Sequence, residues 1–320
     1  MQSAVLASRP DDEARRFVDL LERLRTLGYR FVTPTPATHA RWLARSGDRT
    51  ATTIEEVLGW NLPFAPGAID AGVEQALRAA DALDALPGGL VRARLRVARL
   101  DGELYLHSQF PTEEKDAIFF GPDSYRFARL IADTLTGRPL HEGARAVDIG
   151  TGAGVGAITI ARHSGRLDLI GTDVNPAALR LARCNVAAAG VEAALVRCEA
   201  LDGVEGDLDL VVANPPYIMD DGRRTYRDGG DLRGGALSIH FAAAALARLR
   251  RGGRMILYTG SAIAGGDDAV RHGLETLAAV QGAALRYREI DPDVFGEELE
   301  RPCYAGVDRI AAVAAVLTRL

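Results

Sequence analysis

The chain reads VDIGTGAG at residues 147–154, where an apolar segment ends and a helical pattern begins. Glycines at such a point let the backbone turn tightly and approach a ligand closely. A strand, a glycine turn and a helix in this order form the first unit of a parallel α/β sheet. Alone, the stretch leaves open plain strand–helix packing, a dinucleotide site or another nucleotide-type cradle.

Helical and strand patterns alternate from residue 121 to the end of the chain. The predicted strands cover residues 144–149, 167–172, 194–198, 208–213, 255–259, 286–290 and 310–317. The predicted helices cover residues 124–135, 155–163, 176–189, 237–249 and 267–279. The last two strands have no helix between them, so they are expected to pair antiparallel. The pattern predicts an α/β fold with a doubly wound, mostly parallel, seven-stranded, Rossmann-like sheet.

Residues 1–110 follow a different pattern. Helical periodicity is present at residues 11–27 and 68–86, with shorter helices between them. Period-two alternation then surrounds Asp101-Gly102 and predicts a hairpin over residues 91–106. The arginines at alternate positions, Arg92, Arg94 and Arg96, are expected on the solvent face of that hairpin; a basic strip that faces a substrate is the alternative. We therefore predict a smaller, mainly helical domain over residues 1–110, ending in a hairpin, and a second domain over residues 111–320.

Composition limits the class of protein. The 320 residues are 48% hydrophobic and 25% charged, with a net charge of -5, which is typical of a globular protein and not of a strongly basic nucleic-acid binder. The three cysteines form no CxxC pair, which favours reduced thiols and a cytoplasmic location. No apolar stretch reaches the ~18 residues of a membrane span. The histidines have no metal-ligand spacing, so neither a membrane nor a metal is expected as a partner.

Two carboxylates flank the glycine turn. Asp173 ends the second predicted strand, roughly 20 residues beyond the glycines, where ribose hydroxyls are held in nucleotide-binding folds. Asp148 ends the first strand, and its charge would repel a pyrophosphate. NAD is therefore a poorer ligand than a nucleoside that carries a sulfonium or an ammonium group. A turn carboxylate for Asp173 and a strand-end hydrogen-bond acceptor for Asp148 are the structural alternatives.

A second motif, Asn214-Pro215-Pro216-Tyr217, follows the predicted strand 208–213. The Asn214 side-chain oxygen and the Pro215 carbonyl can both accept hydrogen bonds from a planar NH₂ group. The two prolines hold these acceptors still, because their φ is fixed. Tyr217 offers a ring on which a flat group can stack. A stiff turn without function is the alternative.

Together these motifs resemble those of the class I S-adenosylmethionine-dependent methyltransferases, over roughly residues 119–320. The resemblance implies S-adenosylmethionine as cofactor, with Asp148 near its methionine ammonium, Asp173 on its ribose and Glu199 near its adenine. Many relatives carry Asp where this chain has Glu199. The cofactor-binding residues implied are Asp148, Gly150, Thr151, Gly152, Gly154, Asp173, Asn175 and Glu199. The catalytic residues implied are Asn214, Pro215, Pro216 and Tyr217.

The Asn-Pro-Pro-Tyr motif is similar to the signature of methyltransferases that act on planar nitrogen, namely glutamine amides of release factors and amines of DNA or ribosomal RNA bases. A small helical domain also precedes the catalytic one in the glutamine enzymes. The resemblance therefore favours a protein glutamine as acceptor, recognised with the help of residues 1–110. The hairpin of this domain and its length depart from that family. An RNA or DNA base, a small molecule, and a binding module without catalysis remain alternatives.

The segment 218–236 is long, polar and rich in glycine, as lids beside active sites often are. The segment contains the arginines Arg223, Arg224, Arg227 and Arg233. They are expected either to bind a phosphate or carboxylate group of the substrate, or to form ion pairs with the neighbouring aspartates. The acidic segment 291–300 disfavours a nucleic-acid backbone if it borders the site.

Overall fold

The computed structural model of the chain describes residues 5–6, 12–220 and 224–320. Arg223, one of the arginines considered above, lies outside the described residues. The helices of the N-terminal part are α1 (Asp12–Thr26), α2 (Pro36–Ser46), α3 (Ile54–Leu58) and α4 (Ala71–Ala79). Its strands are β1 (Val5–Leu6), β2 (Leu83–Ala85), β3 (Val91–Ala93), β4 (Leu95–Leu100) and β5 (Glu103–Ser108).

The remaining elements alternate as the sequence predicts. The strands are β6 (Arg145–Ile149), β7 (Asp168–Asp173), β8 (Ala194–Arg197), β9 (Leu208–Ala213), β10 (Leu249–Ala264), β11 (Asp267–Asp268), β12 (Ala283–Asp291) and β13 (Arg309–Arg319). The helices are α5 (Pro122–Gly137), α6 (Val155–Arg162), α7 (Pro176–Ala188), α8 (Ala236–Arg248) and α9 (Ala269–Gln281).

The central sheet has the order β1-β8-β7-β6-β9-β10-β13-β12, with β11 paired to β10. Strands β8, β7, β6, β9 and β10 are parallel to their neighbours in this series, whereas β13 is antiparallel to both β10 and β12. The predicted seven-stranded, mostly parallel sheet is confirmed, with two short strands added. Because the parallel strands share one direction, the residues that follow β6, β7, β8 and β9 meet at one edge of the sheet.

Helices cover both faces of this sheet. One face packs against α5, α6 and α7, through residues such as Ile131 and Ile158. The other face packs against α8 and α9, through residues such as Leu246 and Leu274. All six residues of β9 are buried. A strand that is covered on both faces has a nearly continuous apolar sequence. Residues 210–213 form such a run, and this run located β9 in the sequence.

The N-terminal part has its own apolar core, and it packs directly on α7. The side chain of Asn185 in α7 accepts a hydrogen bond from the Leu106 amide (2.8 Å) and donates to the Leu106 carbonyl (3.1 Å). The same side chain donates to the carbonyl of Ala153 in the glycine turn (2.9 Å). Asn185 therefore joins strand β5, helix α7 and the turn.

The predicted helix over residues 68–86 is wrong in its second half. Helix α4 ends at Ala79, and Asp81 has a positive φ of 50°, which a right-handed helix does not allow. The chain then enters β2, which pairs with β3. Tertiary pairing with Val91–Ala93 overrides the helical periodicity of this segment.

The arginines of the hairpin also differ from the prediction. The hairpin itself is formed by β4 and β5, because the extended segment breaks at Arg94 between β3 and β4. Arg94 is exposed and bonds to Asp84, but Arg96 is only 3% exposed. Arg96 donates to the Ser108 carbonyl (3.0 Å) and lies over the ring of Phe110. Its guanidinium is thus part of the core and not of a solvated face.

Candidate active site

A cavity of about 430 Å³ lies at the edge of the sheet where β6, β7, β8 and β9 end. That volume is within the range of roughly 300–1,000 Å³ typical of small-molecule sites. It is lined by residues of both sequence motifs: Gly150, Thr151, Gly152, Asp173, Asn175, Glu199, Asn214, Pro215, Pro216 and Tyr217. Two of the candidate residues, Asp148 and Gly154, lie behind this lining.

The glycine turn leaves open space for a ligand. Gly150 and Gly152 have positive φ angles of 64° and 53°. A Cβ atom on Gly150 would meet only the Phe241 ring at 3.8 Å, and one on Gly152 only the Gly150 carbonyl at 3.9 Å. A Cβ on Gly154 would instead contact helix α7 at Ala182 and Val186. The first two glycines therefore open the backbone to the cavity, and the third permits close helix packing.

Asp148 faces the helix and not the cavity. Its side chain is 1% exposed and accepts hydrogen bonds from the Thr151 hydroxyl (2.6 Å) and the Ala157 amide (2.9 Å). Burial raises the pKa of this carboxyl to about 7, against the opposing effect of the two hydrogen bonds. Gly156 provides the space, since a Cβ there would lie 2.4 Å from the carboxylate. Asp148 thus shapes the glycine turn from behind, through Thr151.

Asp173 links the two sides of the turn. Its carboxylate accepts from the amide of Gly152 (3.0 Å) and from that of Asn175 (2.9 Å). Burial raises its pKa, although these amides lower it. Asn175 caps helix α7 by accepting from the Ala177 amide (2.9 Å), and its NH₂ group donates to the Asp116 carbonyl (2.8 Å). The amide side chain of Asn175 is therefore already engaged, whereas the Asp173 carboxylate has lone pairs that can face a ligand.

Glu199 lies at the rim of the cavity, directly after β8. Its carboxylate is largely exposed and lies 3.8 Å from the Nε2 atom of His240 on α8. The side chain therefore has the freedom to turn toward a ligand in the cavity.

The Asn-Pro-Pro-Tyr motif forms the wall opposite the glycine turn. Asn214 is half-buried, and its side chain makes no hydrogen bond to any residue that the structure describes. Pro215 is buried and also belongs to the cavity lining. The motif begins one residue beyond Ala213, which pairs with Ile149 at the start of the glycine turn. The acceptor atoms of Asn214 and Pro215 therefore stand next to the turn, fixed by the central strands.

Tyr217 is held by a buried carboxylate that sequence reasoning missed. Its hydroxyl donates to Asp123 at 2.6 Å, and the hydroxyl of Tyr258 donates to the other carboxylate oxygen at 2.6 Å. Asp123 is 5% exposed, and burial raises its pKa. The Tyr217 ring, 6% exposed, packs against Gly260, where a Cβ would lie 2.1 Å from it. The predicted stacking platform is thus a core residue with one edge at the cavity.

Replacement of Tyr217 by Phe should separate the role of this anchor from packing. The ring stays, but the Asp123 carboxylate loses the hydrogen bond from the Tyr217 hydroxyl. Because hydrogen bonds to charged groups are strong, we expect the free energy of unfolding to fall by about 1.5–3 kcal/mol. Urea unfolding measures this. Tyr287→Phe is the matched control, because the Tyr287 hydroxyl donates to Asp268 at 2.7 Å away from the cavity. We expect both variants to lose stability and Tyr217→Phe alone to lose turnover, by about tenfold. Equal turnover in the two variants would show that the hydrogen bond between Tyr217 and Asp123 has no role in catalysis.

Residues 224–228 of the polar segment after the motif line the cavity. Arg224 forms an ion pair with Asp220, which lowers the pKa of that carboxyl to about 2. Arg227 pairs with Glu298. The alternative in which these arginines pair with nearby carboxylates is therefore the one observed for Arg224 and Arg227. Arg224 nevertheless also borders the cavity.

The same segment is fastened to the chain that precedes α5. The Tyr226 hydroxyl donates to the Thr112 carbonyl (2.6 Å), and the Tyr226 ring stacks near Phe119 with centroids 6.4 Å apart. Both rings line the cavity. We call the paired rings of Phe119 and Tyr226, which belong to the cavity lining, the aromatic cover.

Within the described ranges, no three His, Cys, Asp or Glu side chains are grouped closely enough to hold a metal ion. Over the same residues, no helix combines the length and apolar character that crossing a membrane requires.

Comparison with known proteins agrees with this geometry. The family model of the methyltransferase small domain matches residues 126–264. The chain is 28% identical to a release factor glutamine methyltransferase of Deinococcus radiodurans, covering 88% of this chain and 95% of that protein. It is 31% identical to a release factor glutamine methyltransferase of Cereibacter sphaeroides, covering 57% of this chain and 69% of that protein.

A ribosomal RNA small subunit methyltransferase C of Escherichia coli is 35% identical over 101 residues, which are 32% of this chain and 28% of that protein. The glycine turn, the sheet order and these matches agree in one assignment. The chain is an enzyme that uses S-adenosylmethionine, and it belongs to the release factor glutamine methyltransferase family of the class I S-adenosylmethionine-dependent N-methyltransferases.

Proposed function

We propose that this enzyme methylates the side-chain amide nitrogen of a glutamine in a protein, with peptide chain release factors as the acceptors. The observation that carries the proposal is the Asn214 side chain, which lies beside the glycine turn and has no hydrogen-bond partner among the described residues. The two release factor glutamine methyltransferases described above support this choice of acceptor. A cytoplasmic location of the enzyme is part of the same proposal.

The cavity residues divide into two groups in this proposal. S-adenosylmethionine, when bound, supplies an electrophilic methyl group on a sulfonium. Gly150, Gly152, Asp173 and Glu199 hold the cofactor, with Asp173 toward the ribose and Glu199 toward the adenine. Asp148, Thr151, Gly154 and Asn175 support them from behind, because their polar groups and packing fix the turn and the start of α7.

Asn214 and Pro215 then orient the acceptor. An amide nitrogen is a poor nucleophile because its lone pair is delocalised. The Asn214 side-chain oxygen and the Pro215 carbonyl accept hydrogen bonds from the acceptor NH₂, which fix its direction and stabilise positive charge that develops on the nitrogen. Pro216 and the anchored Tyr217 keep both acceptors in place. Correct orientation of this kind can contribute ~7–11 kcal/mol to catalysis.

The N-terminal part, residues 1–110, recognises the acceptor protein in this proposal, and residues 111–320 form the catalytic domain. Pro36, at the start of α2, lines the cavity together with Phe119 and Tyr226. The N-terminal part therefore contributes to the wall of the cavity beside the aromatic cover. In this proposal the acceptor protein contacts the N-terminal part, while its long, flat glutamine side chain reaches Asn214 in the cavity.

A ribosomal RNA base is the second candidate acceptor. The match to the Escherichia coli ribosomal RNA enzyme favours it, with 35% identity over 101 residues. Against it stands the net charge of -5. Acidic residues also lie near the cover, where Glu298 pairs with Arg227 and so neutralises a cation that could bind phosphate.

Methyl transfer from cofactor with a labelled methyl group tests the two candidates directly. Purified enzyme is incubated with release factors, with release factors in which the acceptor glutamine is changed to leucine, and with ribosomal RNA. We expect label on the glutamine-containing release factor and on neither other substrate. Label on ribosomal RNA alone would replace the first proposal by the second, and label on the leucine form would exclude glutamine.

A further inference from the structure

A second cavity, of about 270 Å³, lies at the opposite edge of the sheet. It is formed by the segment before β6, by the start of β9 and by the start of β10. Its lining includes Arg138, His141, Asp209, Arg250, Arg251 and Arg254. Since β9 has six residues at about 3.3 Å each, this cavity is separated from the active site by roughly 20 Å. No residue of the Asn-Pro-Pro-Tyr wall or the glycine turn contributes to it.

The lining carries more positive charge than its one carboxylate can balance. Four arginines and a histidine surround Asp209. The Asp209 carboxylate is 8% exposed and already accepts from His141 (3.1 Å) and from the Arg145 amide (2.8 Å), and it pairs with Arg250 at 3.2 Å. Three donors already use most of its hydrogen-bonding capacity, and none of them belongs to Arg138, Arg251 or Arg254.

Arg254 is the unusual member of this group. It is only 4% exposed, and it forms no ion pair with any carboxylate in the described part of the chain. Its guanidinium donates to the Arg138 carbonyl at 2.6 Å, and burial together with the nearby Arg138 charge lowers its pKa. Buried charges are normally paired, because an unpaired one loses its hydration without compensation. Arg254 thus has donors but lacks an anion.

The neighbours of Arg254 in the lining are Arg138, which bonds to the backbone, and Arg251, which is exposed. Arg138 donates to the Gly252 carbonyl at 3.1 Å, and Gly252 takes a positive φ of 77° that turns the chain between Arg251 and Arg254. Arg251 is exposed, and no ion pair of its side chain is found among the described residues. The exposed guanidinium of Arg251 and the buried guanidinium of Arg254 therefore belong to the same cavity lining as Arg138.

We propose that this cavity is a binding site for a phosphate group. Guanidinium groups present several donors in a fixed fork that matches the oxygens of phosphate, which is why arginine is preferred at phosphate sites. A tetrahedral anion with two charges would compensate Arg254 and bond to Arg138 and Arg251 together. The group can belong to a free phosphate or to the backbone of an RNA, and both supply the same anion.

The proposal is tested with the full-length enzyme at constant ionic strength. A general salt effect is then not mistaken for binding of phosphate. Inorganic phosphate is titrated against chloride by calorimetry and by thermal unfolding. The test variant is Arg251→Ala, whose exposed side chain can be removed without loss of the fold. The control is Arg129→Ala, since Arg129 is exposed, pairs with Asp133 and lies outside the cavity.

We expect phosphate to raise the melting temperature of the wild type and of Arg129→Ala, and its affinity to fall at least about tenfold in Arg251→Ala, on the scale of one charge-assisted hydrogen bond. Arg254→Met should abolish binding if it folds. A short RNA that competes with phosphate identifies a backbone source, and one that does not compete identifies a free phosphate. No phosphate binding above chloride, or equal affinity in Arg251→Ala, would overturn the proposal. Neither result depends on methyl transfer, so this test is independent of the proposed acceptor.

Discussion

Replacement of Asn214 by Ala should lower the turnover of methyl transfer by about a hundredfold or more, on the scale of losing one transition-state hydrogen-bond partner. The change removes the oxygen that orients the acceptor NH₂ and leaves the glycine turn intact. The affinity for S-adenosylhomocysteine, measured by calorimetry, should therefore stay within about twofold of the wild type. Turnover is measured with the acceptor that the labelling experiment identifies.

Asn214→Asp provides the matched control for this prediction. Aspartate keeps a side-chain oxygen at the same position, but it replaces the amide donor by a second oxygen and adds a negative charge. If the oxygen is the active group, Asn214→Asp should retain clearly more turnover than Asn214→Ala. Near-normal turnover in Asn214→Ala would show that the motif is a stiff turn and nothing more.

Replacement of Asp173 by Ala should act on the cofactor instead. A carboxylate that bonds to ribose hydroxyls through charge-assisted hydrogen bonds contributes about 1.5–3 kcal/mol, so the dissociation constant of S-adenosylhomocysteine should rise by roughly 10- to 150-fold. Because Asp173 also bonds to the amides of Gly152 and Asn175, part of this loss could come from a disturbed turn.

A ligand change separates the two causes. The wild type and Asp173→Ala are each titrated with S-adenosylhomocysteine and with its 2′-deoxy form. If Asp173 binds the ribose, loss of the hydroxyl should weaken binding to the wild type by about tenfold and to the variant very little, as a double-mutant cycle requires. An equal loss in both proteins would assign Asp173 to the turn alone.

The sequence predicted those parts of the site that depend on local backbone chemistry. The glycines that open the turn and the buried strand β9 each have a local signature. Parallel strands bring their carboxyl ends to one edge, so the two motifs could be placed in one site before any contact was known. The structure has both motifs around one cavity.

Contacts between distant side chains were not predictable in this way. Asp123 and Tyr217 are 94 positions apart, and neither the helix pattern of α5 nor the motif itself indicates their hydrogen bond. The Asp148 carboxylate points toward α6 because Gly156 has no Cβ there. Gly156 is visible in the sequence, but nothing in the sequence connects it with Asp148. Arg96 is buried because the strand breaks at Arg94, and an uninterrupted alternation concealed that break.

The three hydrogen bonds of the Asn185 side chain restrict which residues can replace it during evolution. It has one acceptor oxygen and two donor hydrogens, and all three bond to backbone groups, two in β5 and one in the glycine turn. Aspartate lacks the donors, glutamine is longer by one methylene, and leucine has neither group, so each substitution leaves a buried backbone group unpaired. Strand β5 of the N-terminal part and the glycine turn are therefore constrained together at this joint, because both depend on the same side chain.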